Sequence, residues 1–174
     1  MKLQKRPESL SEVTALSLNE ETFGRNLADF EHELVRMSSR RSLFASIEKR
    51  PPLLIERFAT GHIADAWLAA YAEELAFRFE LPYPEWLWEA DRFLSSPYIH
   101  DGHSARLKVW HTIKSPPAFS RRNLFVDVRI PPIQLRAGRP RKSARHKREM
   151  NRLRVARYRE RGKESKVEDP ARRD

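Results

Sequence analysis

Charge divides this chain in two, and the division limits where a core can form. Residues 136–163 hold thirteen Lys and Arg against only Glu149 and Glu160, a local balance of +11. Residues 1–135 hold eighteen basic and eighteen acidic residues, and residues 164–174 contribute −1, so the +10 of the whole chain comes from one segment. That segment is thin in apolar residues, with Met150, Leu153, Val155, Ala156 and Tyr158 scattered among its cations. A run of this kind repels itself and cannot bury a core alone. The core must come from residues 20–130, which are rich in Leu, Ala, Phe and Trp. Positive charge concentrated in one segment points to a polyanionic partner, and nucleic acid is the first candidate.

The 174 residues allow one domain with an appendage. The absence of cysteine excludes disulfides and thiolate zinc sites. Lys2, Lys5 and Arg6 are not followed by an apolar run, so the N-terminus does not read as a secretory signal. No stretch approaches the ~20 apolar residues of a membrane helix. The expectation is a soluble, cytoplasmic protein with no membrane partner.

Residues 1–18 are polar without a sustained period and are expected to form a flexible arm. Asn19 can cap a helix, with Glu20 and Glu21 at the positive end of its dipole. Phe23, Leu27, Phe30, Leu34 and Met37 then form one apolar stripe, and the helix should fade over residues 38–42. Pro51 and Pro52 suit the start of a short helical segment over residues 53–58, broken by Thr60-Gly61. The strongest helix is predicted over residues 62–79, where many alanines favour helix and close packing. Residues 85–93 suggest a short helix with Trp86 and Trp88, and residues 104–113 another with Leu107 and Trp110 on one side. Residues 124–128 alternate as a short strand would, and Pro131-Pro132 should close the body. The predicted fold is mainly α: a small helical domain over residues 19–130 with at most one short strand, followed by a basic tail, helical or disordered.

Residues 131–142 read as a Pro, Gly and Arg linker carrying Arg136, Arg139, Arg141 and Lys142. Gly138-Arg139-Pro140 resembles the core of an AT-hook, in which an extended Gly-Arg-Pro lies in the narrow minor groove of A·T-rich DNA. Ala137 departs from that pattern, where a basic residue ordinarily precedes the glycine. The alternative is a flexible basic linker touching phosphate. Residues 143–163 permit a helix with Arg145, Arg148, Arg152 and Arg159 on one face and Lys147, Arg154 and Arg161 on another, and Arg157 adds to them. All twelve are candidate nucleic-acid contacts, with DNA ahead of RNA; Tyr158 offers a ring for a base. Residues 164–174 should be a disordered end.

His100-Asp101-Gly102-His103 gathers two imidazoles and a carboxylate, types that metal or phosphodiesterase chemistry uses, but no further ligand cluster accompanies them. They read as a polar surface loop. His32 and His62 read as helix-surface residues. No nucleophile elbow, P-loop or dinucleotide fingerprint occurs, so neither catalysis nor a cofactor or metal is expected. Glu73 and Glu74 read as a solvated face. Asp65, among apolar neighbours, reads as the polar edge of its helix ahead of a buried, paired carboxylate. Trp67 and Trp110 should pack in the core. Trp86 and Trp88, two residues apart, cannot both face one core, and with the basic pair Arg121 and Arg122 they are the candidate partner-binding residues.

Five blocks, Leu27-Ala28-Asp29-Phe30, Ala64-Asp65-Ala66-Trp67-Leu68-Ala69-Ala70, Leu81-Pro82-Tyr83-Pro84-Glu85-Trp86, Arg92-Phe93-Leu94 and Ser115-Pro116-Pro117-Ala118-Phe119-Ser120-Arg121-Arg122-Asn123-Leu124-Phe125-Val126, carry a family mark. Over residues 23–127 the chain resembles a group of uncharacterised bacterial helical proteins paired with nucleotidyltransferase-like toxins. The resemblance implies a helical, partner-binding, antitoxin-like regulator and no activity. The basic extension after Leu135 and the His100 to His103 stretch depart from the group's pattern. Two functions follow as expectations: a DNA-binding regulator that also holds a protein partner, or an RNA-associated protein whose arginine-rich tail folds on structured RNA.

Overall fold

The computed structural model describes residues 6–100, 104–135 and 152. The chain separates into two units, Met1–Ala137 and Gly138–Asp174. The second contributes only Arg152, which is exposed.

The body is mainly helical, as the apolar periodicity predicts. Helix α1 spans Leu10–Leu16, α2 Glu20–Arg36, α3 Arg40–Glu48, α4 Gly61–Phe79, α5 Ala105–Lys114 and α6 Pro117–Ser120. Strands β1 (Tyr98–Ile99) and β2 (Leu124–Phe125) pair in parallel, with Tyr98 opposite Leu124. The strand expected near residue 124 is therefore present in shortened form, and it has a partner that the alternation did not reveal. The short helix expected over residues 85–93 is instead two 3-10 turns, Glu85–Trp88 and Ala90–Arg92. Residues 53–58 form a turn rather than a helical start.

The expected flexible arm is corrected over its second half. Ser9 caps α1 by accepting from the Glu12 N–H at 3.2 Å, and Leu10 and Val13 are fully buried. From the loop before α4, Arg57 donates to the Thr14 carbonyl at 2.6 Å, so a guanidinium meets carbonyls at the negative end of α1. In α2 the Asn19 Oδ1 accepts from the Thr22 N–H at 2.9 Å and the Thr22 hydroxyl accepts from the Asn19 N–H at 2.9 Å, a closed capping box. That helix fades as expected, but Ser39 at once caps a further helix, α3.

Helix α4 is the axis of the body. Ala64, Ala66, Leu68, Ala69, Ala70, Tyr71, Ala72, Leu75 and Ala76 are all buried, so it is enclosed on every side rather than along one stripe. Small side chains let α3, α6 and both 3-10 turns pack against it closely. Gly61 opens the helix rather than breaking it. A Cβ there would lie 2.0 Å from the Leu54 carbonyl oxygen, so only glycine lets the 53–58 turn pass. The helix ends at Glu80, which takes the left-handed conformation (φ 51°) and sends its N–H back to the last turn. Ile133 and Leu135 also pack on the core, so the body continues past Pro131-Pro132.

Candidate functional site

Two carboxylates on α4 organise the side of the body where partner contacts were expected. Asp65 is 0% exposed. It accepts from the Leu54 N–H at 2.9 Å, the Ile55 N–H at 3.0 Å and the Arg92 Nη1 at 3.1 Å. The buried, paired reading of Asp65 is the one that holds. Eight residues on, Glu73 accepts from the buried Arg122 and, at 2.9 Å, from Arg121. Glu74, also buried, pairs with Arg78 at 2.6 Å. The solvated face expected at Glu73 and Glu74 is thus a charged inner lining, because Arg121 and Arg122 reach Glu73 from beyond α6 and Arg78 covers Glu74 from the next turn of α4.

The remaining donors of the two arginines are largely met by carbonyls: Arg92 donates to Pro51, and Arg122 to Ala118 at 2.8 Å and Leu87 at 3.0 Å. Arg92 lies 5.1 Å above the Trp86 ring, while Arg122 lies 4.9 Å from Phe93 and 5.7 Å from Trp88. Burial pushes the Asp65 carboxyl up, against the Leu54 N–H and the Arg92 charge. Burial also pushes both guanidinium groups down, opposed by Asp65 and by Glu73. Both arginines stay charged, since their ordinary range lies far above neutrality.

This arrangement splits the expected partner-binding set. Trp86 is buried and donates its indole N–H to the Ile47 carbonyl at 3.1 Å, pinning the first 3-10 turn to the end of α3. Arg122 is buried on Glu73. Neither is a surface contact; both are corrected to core residues. Trp88 and Arg121 remain exposed, with Trp88 at 50%. Tyr83, its ring 6.4 Å from that of Trp88, joins them, and Phe77, one turn on from Glu73, is 70% exposed.

A cleft of about 230 Å3 lies on another side, lined by Phe23, Gly24 and Leu27 of α2, Ile63 and Trp67 of α4, and Tyr98 and His100. Nothing lies within 4 Å of where a Cβ on Gly24 would stand. Trp67 packs edge-on to Phe119 at 5.6 Å and is half-buried, close to the expected core role. The volume falls below the roughly 300–1,000 Å3 of ordinary ligand sites. Asp101, Gly102 and His103 lie outside the described residues. Among those described, no group of three or more His, Asp or Glu side chains is placed to hold a metal ion. His32 and His62 are exposed on helices, as expected.

Trp110 is the other correction. It is 49% exposed on α5, whose Leu107, Val109 and Ile113 are exposed too; His111 is the buried residue of that helix. Arg136, Arg139, Arg141, Lys142, Arg145, Lys147, Arg148, Arg154, Arg157, Arg159 and Arg161 lie outside the described residues. Among the described residues, no helix is long and apolar enough to cross a membrane. No protein-family model, curated protein or solved structure matches the chain.

Proposed function

We propose that this protein is a non-enzymatic regulator that binds DNA through residues 136–163 and a protein partner through its helical body, in the manner of an antitoxin. The observation that carries this reading is the charge partition: a neutral body and a +11 segment. In the body, buried carboxylates are matched by arginines, as at Asp65 with Arg92 and Glu73 with Arg122. In the tail, two glutamates face thirteen cations, and cations in that excess bind phosphates with release of counterions. Trp88 and Arg121, joined by Tyr83, are the surface that the partner role uses. A nucleotidyltransferase-like toxin is the partner class the sequence resemblance implies, and a cytoplasmic location belongs to the same reading. Gly138-Arg139-Pro140 favours DNA. The arginine-rich run with Tyr158 supports the second reading, structured RNA.

Removing residues 136–174 should abolish binding in gel shifts while circular dichroism retains the helical signal. In the full chain, Arg139→Ala should cost about 1–3 kcal/mol on A·T-rich duplexes and much less on G·C-rich duplexes or RNA. Undiminished binding by the shortened chain overturns the tail assignment. A uniform loss across the three targets removes the minor-groove contact and raises RNA to equal standing.

A further inference from the structure

Although residues 1–135 are neutral as a whole, residues 104–135 hold six Lys and Arg against Asp127 alone, a balance of +5. Arg121 and Arg122 are held by Glu73. Arg106, Lys108, Lys114 and Arg129 make no ion pair among the described residues and are exposed. Three of these four belong to α5, which carries no acidic residue. On the same helix Trp110 presents half of its surface to solvent, and Ile113 is 73% exposed. The Lys114 ammonium lies 5.2 Å from the centre of the Trp110 ring, and the Trp110 indole N–H reaches Asp127 Oδ2 at 3.5 Å. A cation over a half-exposed aromatic ring is the pairing that a nucleotide offers in reverse, an anionic phosphate beside a flat base.

We propose that α5 is a second nucleic-acid contact, a stacking platform on which Trp110 receives an unpaired base while Arg106 and Lys114, one turn to either side of it, neutralise the phosphates of that strand. The proposal rests on the tail's being a nucleic-acid binder, and it names the form of nucleic acid the body takes. Two observations select this occupant. Every formal charge on the helix is positive, which favours a polyanion. Arg129 stands only seven residues before Arg136, the first cation of the tail. Seven extended residues span at most roughly 24 Å, so a strand held at the start of the tail lies within reach of the body. A duplex keeps its base faces stacked inside, whereas a single strand offers them to an indole. The contact therefore discriminates by strandedness rather than by sequence.

The test is a titration of the full chain, Trp110→Ala, Trp110→Phe and an Arg106→Gln, Lys114→Gln double variant. Each is measured against a mixed-sequence single strand and the blunt duplex of the same length. Trp110→Ala should weaken the single strand roughly 5- to 150-fold, the range for losing one stacked base, and leave the duplex unchanged. Trp110→Phe should restore most of the loss. The double variant should lower the salt slope on the single strand by about 0.7 per phosphate contact. If the unmodified chain binds neither target, the tail reading itself fails. If it binds both and Trp110→Ala changes neither, or weakens both equally, the stacking platform is overturned while the tail reading stands.

Discussion

Helices α4 and α5 follow from the same periodic reasoning and end in opposite environments. In α4 the charges are inside: Asp65 and Glu73 lie in the core with a guanidinium against each. In α5 the apolar residues are outside: Leu107, Val109, Trp110 and Ile113 face solvent among cations. Hydrophobicity along the chain thus does not settle which side a helix buries. In α4, alanines let other segments surround the helix, and any polar group then needs an internal partner. In α5, one buried residue, His111, marks a helix that touches the body along a single narrow line.

The contrast breaks most severely at the inner charges. Asp65→Ala removes an acceptor from Arg92 and from the Leu54 and Ile55 N–H groups. It should destabilise by about 3–5 kcal/mol, the range for stranding one partner of a buried ion pair. Arg122→Ala should fall in the same range, whereas Arg121→Ala, which loses only a half-exposed contact with Glu73, should change stability by about 1 kcal/mol or less. Urea unfolding of the three variants checks this, and a similar loss at Arg121 and Arg122 would erase the distinction between adjacent arginines.

Gly61→Ala comes next. The added Cβ would strike the Leu54 carbonyl, and about 1–3 kcal/mol should be lost as the 53–58 turn is displaced. A shift in thermal midpoint is the measurement, and an unchanged midpoint would mean the turn can retreat freely. On α5 the expectation reverses: Trp110→Ala should change stability by about 0.5 kcal/mol or less, as for an open surface position. A loss as large as that at Asp65 would place Trp110 in the core after all.

The smallest effect concerns protons. Burial raises the Glu31 carboxyl above its ordinary 4.5, and burial with the Glu31 charge pushes the Tyr71 hydroxyl up. A carboxyl raised on folding contributes stability that is complete below its unfolded value and is lost as pH rises through the folded one. Glu31→Gln should flatten that decline above about 4.5 in the stability-against-pH curve. An unchanged slope would assign the decline to other groups.

Much of the fold was legible because α2 is long enough to display a period and α4 is rich in helix-favouring alanines, while Asn19 and Leu81-Pro82 mark a start and an end. Helix α1 escaped because its seven residues span barely two turns. Its docking also depends on Arg57, a partner far along the chain. Helix α3 escaped because Ser38, Ser39, Arg40 and Arg41 resemble a polar loop, although Ser39 acts as its cap. The candidate partner surface was half legible. Arg121 and Arg122 lie in the turn that follows α6, where adjacent side chains point apart and one of them is covered, but composition does not say which. That choice, Arg122 over Arg121, is made by Glu73, and Glu73 is placed by α4. For Trp110, apolar character alone pointed inward, while the lone cations around it carried the better signal.

The two buried arginines also bear on how the chain finds its shape. Arg92 reaches back 27 residues to Asp65 and Arg122 reaches back 49 to Glu73, so both links close only after distant segments meet. If the α6 to β2 segment docked so that neither Arg121 nor Arg122 reached Glu73, that carboxylate would be enclosed without a guanidinium. Misdocked states of that kind are raised in energy by several kcal/mol, on the order of the cost of an unpaired buried charge, while the single correct register is spared it. The links therefore add less to the depth of the native basin than to the height of its competitors. A chain with Asp65, Glu73, Arg92 and Arg122 all replaced by well-packed apolar residues should rival the natural one in stability and fold to several registers instead of one.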